Sequence, residues 1–238
     1  MTRFHDMPKK EKIQEMFDRI APSYDRLNHL MSLNVDRRWR RKSLREIVDG
    51  TPQRILDVAC GTGDSTIAIA RAAAEGSHVT GADISEGMMG LVMDKARRAD
   101  VDGRIDLQVA DGEALPFGDG TFDRVSCAFG IRNFEHKDKG LSEFCRVLKP
   151  GGKAVILELS VPRSRVVRWV YDLYFLHILP WIGGKVSGDK AAYAYLPASV
   201  HAFPPPEAFL DMLRGAGFSR VKCRTFSLGL CRIFVGEK

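Results

Sequence analysis

The sequence lacks the cysteine and histidine patterns that staple small folds or hold metals. Its five cysteines, Cys60, Cys127, Cys145, Cys223 and Cys231, include no CxxC pair. An odd number leaves one thiol unpaired in any disulfide scheme, so reduced thiols and a cytoplasmic setting are expected. Six histidines form neither HExxH nor another ligand spacing, and no metal is expected. Long apolar runs are missing too, whereas a membrane span needs about 20 such residues. The most apolar aromatic stretch, VVRWVYDLYFLHILPWIGG, is interrupted by Arg168, Asp172, His177 and Pro180. The opening MTRFHDMPKKEK is polar and basic with no apolar stretch behind it, unlike a secretory signal. Repeats and low-complexity tracts are absent. A chain of 238 residues with 45% hydrophobic content instead suits one α/β domain over 1–238 with an ample core.

Hydrophobic patterning orders that domain. Strands at 54–59, 78–83, 104–110, 122–128 and 152–159 alternate with helices at 64–75, 86–99 and 138–148, the βαβ rhythm of a doubly wound, mostly parallel, Rossmann-like sheet. Helical patterns at 9–20, 24–33 and 36–48, broken by Pro22 and Asn34, form a cap over residues 1–50 ahead of a core at 51–160. Ser85 and Asp138 are expected as N-caps, and Lys149-Pro150-Gly151-Gly152 ends its helix. Beyond Pro162, residues 163–179 read as an aromatic amphipathic helix, 206–216 as another, and the tail as two strands parted by Gly229.

The most informative run is RILDVACGTG, residues 54–63. Ile55, Leu56, Val58 and Ala59 suit a strand buried on both faces, and Gly61 and Gly63 let the chain turn sharply into a helix beside a ligand. A dinucleotide fingerprint would place a third glycine where Thr66 stands, so pyrophosphate is disfavoured. Carboxylates point elsewhere. Asp57 precedes the turn, Asp83 ends the next strand 20 residues beyond Gly63, and Asp111 ends the third. S-adenosylmethionine, which has a ribose diol, an ammonium and a sulfonium but no phosphate, matches acids at three successive strand ends. Asp57 would face the ammonium directly or through water, and Asp83 the ribose hydroxyls. Taken singly, a GTG turn is also plain geometry and a strand-end Asp is also a helix cap; their joint spacing is what carries the reading.

Several longer segments extend the pattern: RILDVACGTGDST, GADISEGM, DGEALPFGDGTFDRV, FGIRNFEHKDKGLSEFCRVLKPGGK and VILELSVP, with KIQEMFDRIAPSYDRLNHLMSLNVDRRWRRKSL before them and AAYAYLPASVHAFPPPEAFLDMLRGAGF after. In these the chain resembles class I S-adenosylmethionine-dependent methyltransferases, and among them the quinone-biosynthesis C-methyltransferases acting on demethylmenaquinone or a polyprenyl methoxybenzoquinol. The glycine turn identifies only the superfamily; FGIRNF and SYDRLNHLMS are the specific signals. The resemblance implies donor contacts from Thr62, Asp83, Asp111 and Gly112, close backbone approach at Gly61 and Gly63, and packing of Ile84 and Met88 around the adenosine. It makes residues 161–238 the substrate side, with Asp189, Tyr193 and Tyr195 facing the pocket. Tyr24 becomes a ligand contact of an N-terminal lid, and Asp25 a cap. Ala128 departs from the family's usual hydroxyl residue at its position. The C-terminal segment CRTFSLGLCRIFVGEK is closer to the menaquinone branch.

The chemistry so implied is methylation of an electron-rich quinol carbon, which requires loss of a phenolic proton. Arg132, always protonated, is assigned to stabilising the quinolate, and Asn133 to orienting a ring oxygen or a water. A loop-capping role for the Arg-Asn pair is the plain alternative. The formal charge of +6 concentrates in Arg37, Arg38, Arg40, Arg41, Lys42 and Arg45 around Trp39. A solvated helix face, nucleic-acid binding and attraction to an anionic membrane surface compete for this cluster. No nucleic-acid motif accompanies it, so peripheral contact with the membrane's inner face is expected, as suits a polyprenylated quinol.

Overall fold

The computed structural model describes residues 10–32, 34–174 and 190–238. A seven-stranded sheet in the order β3-β2-β1-β4-β5-β7-β6 carries helices on both faces. Its strands are β1 Arg54–Val58, β2 His78–Asp83, β3 Ile105–Val109, β4 Phe122–Ala128, β5 Leu148–Leu159, β6 Arg220–Phe226 and β7 Cys231–Glu237. β1 runs parallel to β2 and β4, while β7 pairs antiparallel with both β5 and β6. The helices are α1 Lys10–Met31, α2 Val35–Ile47, α3 Asp64–Ala72, α4 Glu86–Met89, α5 Val92–Arg98, α6 Lys137–Val147, α7 Arg165–Leu173, α8 Lys190–Ala202 and α9 Pro206–Gly215.

Alternation along β1 builds two cores. Ile55 turns to the face holding Ile47, Ile69 and Val79, and Leu56 to the opposite face with Phe122, Phe144 and Phe209. Each such buried side chain contributes about 1.5–3 kcal/mol, so the sheet is held from both sides. Strand order reverses between β1 and β4, and at such a switch point the carboxyl ends splay to leave a crevice.

Three local expectations are corrected, and one helix goes unread. Pro22 lies inside a continuous α1 and does not break it. An internal proline costs about 3 kcal/mol, but contacts on either side hold the helix: Gly87 N and the Ser85 hydroxyl donate to Asp18, and the Thr62 hydroxyl and Lys95 to Asp25. Residues 86–99 form two helices, α4 and α5, rather than one. Asp138 sits in the first turn of α6, whose N-cap is His136; the backbone N–H groups of Glu135 and His136 donate to Glu113. Helix α8 goes unread in the pattern because Pro197 interrupts a short, weakly periodic segment. Ser85 is the expected cap of α4, accepting from Met88 N at 3.1 Å. Asn34, at φ 60°, marks the expected break before α2.

Candidate active site

The glycine turn bends as its sequence demands. Gly63 caps α3 at φ 84°, and a Cβ there would meet Val92 Cγ1 at 2.7 Å. Ala59 (φ 55°) and Phe129 (φ 62°), at the ends of β1 and β4, also adopt left-handed backbone, a strained conformation that concentrates at functional sites. A Cβ on Gly130 would strike Ala59 Cβ at 2.4 Å, so the two strand ends press together at the switch point.

A cleft opens above these turns. Gly61, Thr62, Asp83, Ile84, Met88, Asp111 and Gly112 all line it, with Tyr24 and Asn133. Asp83 accepts from Gly61 N at 2.8 Å and Ser85 N at 2.9 Å. Those bonds orient the carboxylate and leave each oxygen a lone pair. Burial raises its pKa, while the backbone donors oppose the rise. Asp111 accepts from Glu113 N at 3.0 Å. At Gly112 a Cβ would lie 2.3 Å from Phe134 Cζ, so any side chain would displace that ring from the cleft wall. Ala128 also lines the cleft and offers no hydroxyl.

Asp57 takes a deeper position than expected. It is 1% exposed, is not among the residues lining the cleft, and its Oδ2 accepts from Thr66 Oγ1 at 2.7 Å. Its Oδ1 has no hydrogen-bond partner among the described residues. Burial pushes its pKa up to about 6 against the pull of the Thr66 hydroxyl. Asp25 is likewise no cap: inside α1, it takes the Thr62 hydroxyl and pairs with Lys95 at 2.6 Å, tying the N-terminal helix across the cleft. Burial also pushes the Cys60 and Cys127 thiols well up, so neither supplies a thiolate.

A second cavity adjoins the first and shares Tyr24, Asp36, Arg40 and Phe129 with it. Its wall is mainly apolar: Trp39, Leu159, Val167, Leu196, Leu228 and Leu230 among others. Arg132 lines this second cavity and Asn133 the first. Arg132 is 6% exposed, with Nη1 2.9 Å from Glu158 Oε1 and its backbone N 3.2 Å from Oε2. Nη1 also donates to the Phe129 carbonyl. Burial works to lower its pKa, but the Glu158 carboxylate and the Tyr24 and Tyr195 hydroxyls carry the net shift upward. Its Nε lacks a partner among the described residues.

The later substrate-side residues divide. Asp189 lies outside the described residues; Tyr193 falls in α8, but its side chain does too. Tyr195 is buried and donates to Asn133 Oδ1 at 2.9 Å without lining either cavity, so it holds Asn133 in place. Trp39 is also corrected. It is 7% exposed, packs at 6.4 Å on Phe129 and donates to Ser227 Oγ at 2.9 Å, so it is no surface anchor. Among the described residues the exposed tryptophan is Trp169, at 68%.

Sequence reasoning missed Glu158 and the inward turn of Arg40. A glutamate within the apolar run VILEL was the available signal for the first. Nothing in the basic cluster distinguished Arg40 from its neighbours. Among the described residues no group of three or more His, Cys, Asp or Glu is placed to hold a metal ion, and no helix is long and apolar enough to cross a membrane.

Comparison with known proteins agrees with this geometry. Over 238 residues the chain is 48% identical to the ubiquinone/menaquinone biosynthesis C-methyltransferase UbiE of Geobacter sulfurreducens, covering 100% of this chain and 93% of that one. It is 42% identical over 234 residues to a demethylmenaquinone methyltransferase of Bacteroides fragilis, covering 98% and 95%. Among solved structures, the [4+2]-cyclase SpnF superposes with a TM-score of 0.68 at 24% identity, covering 94% of this chain and 78% of that one. A SAM-dependent methyltransferase of Thermotoga maritima, a possible histamine N-methyltransferase, gives 0.66 at 17%, covering 95% and 99%. These two share the fold alone, and a cyclase among them illustrates that this fold does not dictate its reaction. The decisive match is to the ubiE/COQ5 methyltransferase family, whose model spans residues 5–238; this chain belongs to that family.

Proposed function

We propose that this protein transfers the methyl group of S-adenosylmethionine to a ring carbon of demethylmenaquinol, giving menaquinol. The observation that carries the reading is the junction of a carboxylate-lined cleft with an apolar cavity through the shared residues Tyr24, Asp36, Arg40 and Phe129. A polar nucleoside and a prenylated ring need such adjoining, chemically opposite compartments. The cleft fits the donor: Asp83 presents free lone pairs to a ribose diol, Gly61 and Gly112 allow close approach, and Ile84 and Met88 supply apolar contact for a base. The donor supplies an electrophilic methyl group on a sulfonium.

The chain's own residues prepare the acceptor. The apolar cavity holds the ring and its prenyl tail away from water. Arg132, anchored by Glu158, sets a positive charge at the cavity wall, where it stabilises the negative charge that develops on the ring oxygen. Asn133, fixed by Tyr195, orients a ring oxygen or the water that carries the phenolic proton to solvent. Tyr24, on the wall of both compartments, aligns the two reactants. The ring carbon gains the methyl group, the carbon–sulfur bond breaks toward sulfur, loss of the ring proton to solvent restores aromaticity, and the ring oxygen takes a proton back from solvent, so that one proton is released overall.

The working position of the enzyme is cytoplasmic, at the inner face of the membrane. Val166, Trp169 and Leu173 share one face of α7 and are 74%, 68% and 44% exposed. Leu228, 78% exposed, and Val167 of α7 both line the apolar cavity, which brings exposed apolar surface to the acceptor compartment. Exposed Arg165 and Arg168 beside it suit anionic lipid, at about 1 kcal/mol per basic residue near the surface. A methoxybenzoquinol of the ubiquinone series is the second reading, because the relative in Geobacter sulfurreducens carries both quinones in its name.

The test is incubation with S-adenosylmethionine and each demethylated quinone, reduced or oxidised, with products read by mass spectrometry. Methylation of reduced demethylmenaquinone is expected, increasing with pH and persisting in EDTA. Efficient methylation of the oxidised quinone under air, which has no phenolic proton to lose, would refute the mechanism.

A further inference from the structure

We propose that Arg40 binds the α-carboxylate at the amino-acid end of the methyl donor; this rests on the reading of the carboxylate-lined cleft as the donor site. S-adenosylmethionine carries two cationic groups and one anionic group. Acids answer the cations and the hydroxyls, and the cleft holds them in excess: Asp25, Asp36, Asp64, Asp83, Asp111, Glu113 and Glu135 all line it. None of them can take a carboxylate. Among the described residues on that wall, Arg40 is the one lysine or arginine.

Its placement matches the task. Arg40 reaches inward from α2, its side chain only 18% exposed, and its Nε stands 3.8 Å from Asp36 Oδ2. Its Nη1 donates to the hydroxyl of Ser65 in the first turn of α3. The guanidinium carbon stacks 5.0 Å from the centre of the Phe129 ring, which fixes the plane of the fork. That Nε is buried against the Asp36 carboxylate, beyond hydrogen-bond distance. The part of the guanidinium that lines the cleft is left for the ligand, and a carboxylate is the acceptor that such a group fits best. The start of α3 adds the positive end of a helix dipole on the same side. The donor then lies with its ribose at Asp83 and its carboxylate at Arg40, on opposite sides of the glycine turn.

Two ligands that differ in the amino-acid end isolate this contact. S-adenosylhomocysteine keeps the α-carboxylate, and 5′-methylthioadenosine keeps the adenosine and sulfur but lacks the amino acid. By calorimetry, Arg40→Met is expected to weaken S-adenosylhomocysteine about tenfold or more, the size of a lost charge-assisted bond, and to change 5′-methylthioadenosine by less than about twofold. Arg40→Lys, which keeps the charge without the fork, should fall between and serves if the methionine variant does not fold. Equal losses for both ligands would make Arg40 structural, and unchanged S-adenosylhomocysteine affinity with a raised quinol KM would assign it to the acceptor; either result overturns the proposal. Failure of the parent protein to bind either ligand would instead overturn the donor reading itself.

Discussion

Replacing Asp57 by Asn should stabilise the protein and weaken its hold on the donor. Asp57 is 1% exposed, and burial pushes its pKa from the usual 3.8 up to about 6. Keeping it ionised at neutral pH therefore costs about 1.36 × 2.2, or about 3 kcal/mol. Asparagine removes that cost and can still accept from Thr66 Oγ1, but its amide replaces an oxygen with no partner among the described residues, which returns about 1 kcal/mol. A net gain of about 2 kcal/mol follows at pH 7, or about 4–8 °C in Tm for a chain of this size. The sign follows from proton uptake. Above about pH 6 the folded protein bears the full penalty; between there and 3.8 Asp57 takes up a proton and the penalty shrinks. The stability difference between variant and parent should thus be largest above pH 7 and narrow steadily toward pH 4, as read from urea melts at fixed pH. S-adenosylhomocysteine titrations should show weaker binding, because the carboxylate's field in a poorly screened position favours the ligand's ammonium. Equal or lower stability of Asp57→Asn at pH 7, or a difference that does not change with acidification, would refute the reasoning.

Asp83→Ala should weaken S-adenosylhomocysteine by about 1.5–3 kcal/mol, the range for a lost charge-assisted hydrogen bond, in a protein that still melts cooperatively. Arg132→Met leaves Glu158, fully buried, without its cation and should destabilise by about 3–5 kcal/mol. Adding Glu158→Leu should restore at least half of that in denaturant melts while turnover stays lost, which separates the pair's structural role from its charge at the cavity. Val166→Ser with Trp169→Ser should reduce sedimentation with anionic vesicles and leave turnover of a short-chain quinol unchanged; undiminished vesicle binding would remove α7 from the membrane surface.

How much could be read in advance depended on whether the signal was local. Ile55, Leu56 and Val58 before a glycine turn declare a buried parallel strand, because each strand of such a sheet must be apolar on both faces. Asp83, Asp111 and Gly112 follow their strands directly, so once the sheet was inferred their place at its carboxyl edge was inferred with it. Tertiary contacts decided the rest. Pro22 stays helical because Asp18 and Asp25 are fastened to the other side of the cleft. Trp39 and Arg40 are sequence neighbours of exposed Arg37, Arg38 and Arg41, and only the packing of α2 on Phe129 turns them inward. Arg132 was identified as the cation of the FGIRN loop, but its partner Glu158 lies 26 residues away on β5. Periodicity along a chain reports which faces are buried; it carries no information about which distant charge will stand opposite, and that pairing arises only when β4 and β5 close side by side.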